Sequence, residues 1–157
     1  MRLHGVEGLV DVRTAPGSRR MPHFARASLE VELPARGIDY LHMPELGGLR
    51  KPQQGSVNSA WRNDSFRGYA DYMQTGEFWG GVERLKELAA GKRTAIMCAE
   101  AVPWRCHRSL VADALTVEGV DVGHIIGRAE PSRHRLTPFA EVTNGRITYP
   151  GTDTLPL

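Results

Sequence analysis

The chain has 157 residues, with 20 Lys and Arg against 18 Asp and Glu, a formal charge of +2. A length near 150 residues suits one α/β-sized domain with a buried core, and 41% hydrophobic with 24% charged residues excludes a disordered or fibrous chain. Two cysteines exclude a disulfide scaffold, no apolar run reaches membrane-spanning length, and residues 1–8 carry no secretory signal, so a cytoplasmic location without a membrane partner is expected.

Residues 1–5, ending at Gly5, read as the last turn of a helix feeding a strand. The chain is therefore expected to start inside a βα unit, with its N-terminal strand and helix missing. Residues 8–12 (Gly-Leu-Val-Asp-Val) predict a buried strand, followed by a polar run from Arg13 to Ser18. Residues 24–36 predict a helix that Pro34 ends, and residues 38–42 a second strand. Residues 44–63 lack periodicity and read as a long functional loop. A short helix follows over residues 66–74, with Phe66, Tyr69, Ala70 and Met73 on one side. Thr75 caps a second helix whose stripe is Phe78, Val82, Leu85 and Leu88, stopped by Gly91. Residues 94–97 predict a third strand, 105–118 a helix ending at Gly119, and 120–126 a fourth strand. Asn144-Gly145 marks a hairpin turn between residues 141–142 and 147–149.

Strands alternating with helices predict an α/β fold: a single three-layer, Rossmann-like domain with a mostly parallel sheet. Ligands of such sheets bind beyond the strand carboxyl ends. The residues leaving the strands are Asp11 and Arg13, His42 and Glu45, Cys98 and Glu100, and His124 and Arg128.

Several stretches carry a family resemblance. They are Asp11-Val12-Arg13 with Pro16-Gly17-Ser18-Arg19, Glu45-Leu46-Gly47-Gly48, residues 66–73, Met97-Cys98-Ala99-Glu100, Trp104-Arg105-Cys106-His107-Arg108, and His134-Arg135-Leu136-Thr137. The sequence resembles the domain of unknown function 488 family of bacteria and archaea. Its members usually begin with an extra strand bearing a Gly-His-Ser turn and a helix, which this chain lacks. The resemblance implies the same α/β fold and supplies no activity. A weaker resemblance runs to rhodanese-like domains, which place an Asp-Val-Arg strand early and a cysteine at a later strand end, as at Cys98. Pro103 and Glu100 in the following loop depart from an anion cradle, so no rhodanese activity carries over.

Cys98, Cys106 and His107 form the first chemical candidate. A thiolate needs positive potential, which Arg105, Arg108 and a helix start would supply. Glu100 would act as an acid or base, or pair with Arg105. In the catalytic reading, Cys98 is the nucleophile and His107 its proton partner. A metal site of Cys98, Cys106 and His107 lacks recognisable spacing, and both cysteines also fit as buried space-fillers. Arginines are the second candidate. Arg13, Arg67 and Arg108 would bind a phosphate- or nucleotide-like ligand bidentately, with Trp104 beside them. The competing reading is local ion pairs with Asp11, Glu45 and Asp71. The third candidate interleaves Trp61 and Phe66 with Arg62 and Arg67, as on single-stranded nucleic acid. It supports a different class, a non-enzymatic nucleic-acid-binding module in DNA or RNA maintenance. No Walker loop, GxGxxG or HExxH is present, and no cofactor is called. Whether the protein is an enzyme, and its oligomeric state, stay open.

Overall fold

The computed structural model describes residues 2–17 and 19–152, so Met1 and the Ser18 end of the predicted polar run lie outside it. Its first strand, β1 (Gly8–Asp11), is buried along its whole length. β2 (Asp39–His42) and β3 (Thr94–Met97) flank it in the order β2-β1-β3. All pairings are parallel, with Asp11 level with His42 on one side and Met97 on the other. The three strand exits therefore share one edge of the sheet, as the α/β pattern predicts.

Alternation along β1 sends its side chains to two apolar clusters. Leu9 joins Leu29, Leu33 and Ile38, contributed by α1 (Arg26–Glu32) and the chain after it. Val10 joins a larger cluster with α2 (Asp64–Tyr72), α3 (Gly76–Gly91) and α4 (Arg108–Val117). Pro34 begins a separate 3-10 turn after α1, as expected of a residue without an amide hydrogen. Asn63 caps α2 through Ser65 and Phe66 N–H, and Thr75 caps α3 through Phe78 N–H. The Arg2–His4 3-10 turn ends at Gly5, whose φ of 64° lies in the left-handed region.

The long loop over residues 44–63 is tied down by one carboxylate. Asp71 on α2 accepts from Gln53 N (2.8 Å), Ser56 Oγ (2.5 Å) and Asn58 Nδ2 (2.8 Å). Asn58 in turn accepts from Tyr149 N at 2.9 Å. The hairpin of β6 (Glu141–Thr143) and β7 (Arg146–Thr148) turns at Asn144-Gly145, both at positive φ, as the dipeptide predicts. It buries Ile147 and delivers Tyr149 to the large cluster.

The fourth strand is the main correction. Only Gly123–His124 (β4) is extended, and it pairs antiparallel with β5 (Ser132–Arg133), not with β3. Val120 and Val122 do pack on the large cluster, while Asp121 pairs with Arg133 at the surface. The alternating pattern reported a half-buried face correctly but carried no information about the hydrogen-bonding partner. The expected mostly parallel sheet is therefore three strands wide. No helix among the described residues is long and apolar enough to cross a membrane.

Two helix glycines make opposite predictions. A Cβ on Gly68 would meet the Arg50 carbonyl and lie 2.6 Å from Lys51 C, both backbone. Gly80 faces nothing within 4 Å. Gly68→Ala should lose about 1–3 kcal/mol or more through overpacking, whereas Gly80→Ala should gain about 0.5–1 kcal/mol from helix propensity. Urea unfolding of both variants checks the pair.

Candidate functional site

The end of β1 carries a fully buried ion pair. Asp11 is 0% exposed and Arg13 8%. Arg13 Nε donates to Asp11 Oδ1 at 2.8 Å, and Nη2 to Oδ2 at 2.5 Å. Tyr40 OH from β2 also donates to Oδ2, at 2.6 Å. Burial pushes the Asp11 carboxyl up, but the hydrogen bonds from Arg13 and Tyr40 outweigh it, and the net shift is downward. Arg13 is thus committed to Asp11 and its fork is not presented to a ligand. Arg67 likewise pairs with Asp64 one helical turn away. Of the other two expected acidic partners, Glu45 pairs with Arg84 and Asp71 takes neutral donors. The three arginines expected to form one anion pocket are therefore divided, and only Arg108 lies at the cysteines.

The main chain leaving β1 organises two imidazoles. His42 Nε2 lies 2.7 Å from Arg13 O, and His107 Nε2 lies 3.0 Å from Val12 O. His107 therefore carries its proton on Nε2 and turns the lone pair of Nδ1 toward Cys106 Sγ, 3.6 Å away. Burial pushes its pKa down to about 4; the Val12 carbonyl raises it and Arg108 lowers it further. His107 is neutral near pH 7 and rests on Cys106, which corrects the expected pairing of His107 with Cys98. The Gly47-Gly48 pair lets the long loop close over this ring. A Cβ on Gly48 would lie 2.9 Å from His107 Nδ1, and one on Gly47 2.7 Å from Thr14 Oγ1.

Cys98 leaves β3 and Cys106 precedes α4, and the structure brings their sulfurs together with Cα atoms 7.6 Å apart. Each sulfur faces N–H donors. Glu100 N–H points at Cys98 Sγ at 3.2 Å. Arg108 directs its backbone N–H (3.5 Å) and its Nε–H (3.4 Å) at Cys106 Sγ. Arg108 Nη2 donates to the Glu100 carbonyl. Burial pulls the Arg108 pKa down and the Glu100 charge opposes it. Glu100 thus serves the site through its main chain, and its side chain is on the exposed side. Cys106 is 4% exposed and Cys98 is half-buried. Trp104, in the 3-10 turn Pro103–Arg105, is 64% exposed beside them. Among the described residues, no three His, Cys, Asp or Glu side chains converge as a metal site would require.

Sequence reading missed one cluster. Asp113, His134 and His124 form a hydrogen-bonded chain beside a cavity of about 730 Å³. His124 stood out only as a strand-exit residue and His134 only within a family stretch, and Asp113 lay inside an apolar helix stripe. The partners are 21 and 10 residues apart, so no local spacing announces them.

The sequence profile of the domain of unknown function DUF488 matches residues 1–115. No curated protein and no solved structure matches the chain.

Two variants test the electrostatics. Asp11→Asn leaves the buried Arg13 charge uncompensated and should cost about 3–5 kcal/mol of stability. In the wild type the depressed Asp11 pKa contributes stability above the unfolded carboxyl value of about 4, lost as pH falls through the folded value. His107 also has a depressed pKa, so the unfolded chain binds more protons between its ordinary 6.5 and the folded value of about 4. Stability should therefore fall as pH drops through that window. His107→Gln, which keeps a donor for Val12 O, should flatten the slope in denaturant melts taken at several pH values.

Proposed function

The chain belongs to the DUF488 family, and from that premise we propose that it is a single α/β domain acting through a reversible Cys98–Cys106 pair on an anionic substrate. The observation that carries the reading is the double donation from Arg108 to Cys106 Sγ, at 3.5 and 3.4 Å. Hydrogen bonds to an ionised sulfur favour the thiolate, and a cation beside it does so again. The three-layer, Rossmann-like arrangement of the reading is supported by apolar clusters on both faces of the sheet.

The two sulfurs have different roles. Cys98 is the more accessible and receives attack. In the bridged form an external thiolate attacks Cys98 Sγ, forming a mixed disulfide, and Cys106 leaves as a thiolate held by Arg108. A second external thiol then releases Cys98, so two thiols become one disulfide as the protein gains two hydrogens. The Cα separation of 7.6 Å exceeds the range of ordinary bridges by about 1 Å. Bridging therefore draws in the intervening loop, and in a reducing cytoplasm the pair rests as thiols.

Arg108 and Trp104 supply the anion-binding element, suited to a phosphate- or nucleotide-like group. No carboxylate lies within ion-pair distance of the Arg108 guanidinium among the described residues, and its donors meet a carbonyl and a sulfur. Such a desolvated cation favours an anionic ligand. The nucleic-acid reading has less support: Trp61 stacks on Phe66 at 4.8 Å and meets Tyr149 at 5.6 Å, so these rings face each other instead of bases.

Alkylation of the reduced protein at graded pH, resolved by peptide mass, tests the proposal. One cysteine should ionise at least about one unit below the ordinary 8.5. Arg108→Met should restore the ordinary value, while Arg105→Met should leave the depressed one. Excess small disulfide should remove two hydrogens and protect both cysteines together. Two thiols titrating at or above the ordinary value would sink the reading.

A further inference from the structure

Asp113 on α4 is 0% exposed, yet it is a carboxylate with three donors. His134 Nε2 (2.8 Å) and Thr137 N (3.0 Å) meet Oδ1, and Tyr149 OH meets Oδ2 at 2.8 Å. A carboxylate accepts, so His134 carries its proton on Nε2. When that ring is neutral it offers a lone pair at Nδ1, which lies 2.8 Å from His124 Nε2. In that form the contact places the proton of His124 on Nε2. Its lone pair is left on Nδ1, which has no partner among the described residues, on a ring that lines the 730 Å³ cavity. The chain of hydrogen bonds thus fixes both tautomers, starting from one buried carboxylate.

The cavity wall is cationic where its apolar lining ends. Lys92 pairs with Asp39, and Asp121 with Arg133. Lys86 is held by Glu83 and Glu118. Arg93 and Arg108 line the same cavity and meet only main-chain oxygen or sulfur, with no carboxylate in ion-pair range among the described residues. Burial is the largest influence on the His124 pKa and pushes it down; Arg108 lowers it further and Asp113 opposes them. His124 is accordingly neutral near pH 7, the form a base requires.

We propose that this cavity binds a small oxyanion-bearing molecule and that His124 is a general base toward it, positioned by His134 and Asp113. An O–H bond of the ligand, or of a water beside it, breaks. Its proton joins His124 Nδ1, the electron pair stays on oxygen, and the positive charge formed is balanced through His134 by Asp113. Nothing is oxidised or reduced. The proposal does not depend on the cysteine pair, although Arg108 touches both.

The test uses the full chain carrying Cys98→Ser and Cys106→Ser, so that a failed thiol reading leaves it intact. Nitrogen-15 spectra of the histidines near neutral pH should show His124 protonated on Nε2 and bare on Nδ1. Diethylpyrocarbonate should acylate His124 faster than the exposed His23. His134→Phe leaves Asp113 its Thr137 and Tyr149 donors and should slow that acylation about tenfold, the cost typical of losing an orienting partner. Inorganic phosphate, but not chloride at equal ionic strength, should protect His124. A proton on His124 Nδ1 overturns the proposal without any variant that must fold. Acylation no faster than at His23, or indifferent to His134→Phe, overturns the base, and lack of protection by phosphate overturns the anion site.

Discussion

A carboxylate cannot be buried at the end of a central strand unless its charge is answered on the spot, and that constraint shapes this sheet edge. Arg13, two residues along the same strand exit, folds back onto Asp11 with a two-pronged grip, and Tyr40 reaches across from β2. The pair holds the chain beyond β1 in a fixed path. The carbonyls of Val12 and Arg13 are then presented to His107 and His42. A buried ion pair contributes little net stability over an apolar core, because desolvation offsets the attraction. Its effect here is geometric: it fixes what leaves the sheet, and in which direction.

The cysteines inherit that geometry. Cys98 lies beside the Asp11 end of β1 because Asp11 and Met97 are in register. Cys106 is brought to it by the Pro103–Arg105 turn, which sets the entry of α4. His107, seated under Val12 and the Gly47-Gly48 loop, is too desolvated to hold a charge and so packs against the sulfur instead of taking its proton. Arg108 donates to the Cys106 sulfur and pairs with no carboxylate among the described residues. The same residue also lines the cavity, so two chemically different neighbourhoods share a guanidinium.

Much of the fold was legible because it is local. The Val-Asp-Val strand, the Thr75 cap, the Pro34 break and the Asn144-Gly145 turn each depend on residues within a few positions. What was illegible depends on distant partners. Val120 and Val122 alternate as a strand should, yet nothing in the segment states that β5 and not β3 would pair with it. Arg13 and Arg108 read alike in sequence. One is neutralised by a carboxylate and the other is not, a distinction that only packing makes. Cys98, Glu100 and Arg108 stood out in the sequence because a motif and a strand end coincide there. Asp113 was hidden because an apolar stripe masks a single polar residue whose partners arrive from residues 134–149.

Those late partners bear on how the chain could be recombined. The family profile ends at residue 115, but Ile147 and Tyr149 fill the cluster that covers Val10 and Val12, and Tyr149 satisfies both Asp113 and Asn58. A chimera joined at residue 115 would inherit the whole matched stretch and lose the pieces that close its core. The stretch that heredity marks and the stretch that packs one core are of different lengths, and a graft that respects the second must carry the hairpin with it.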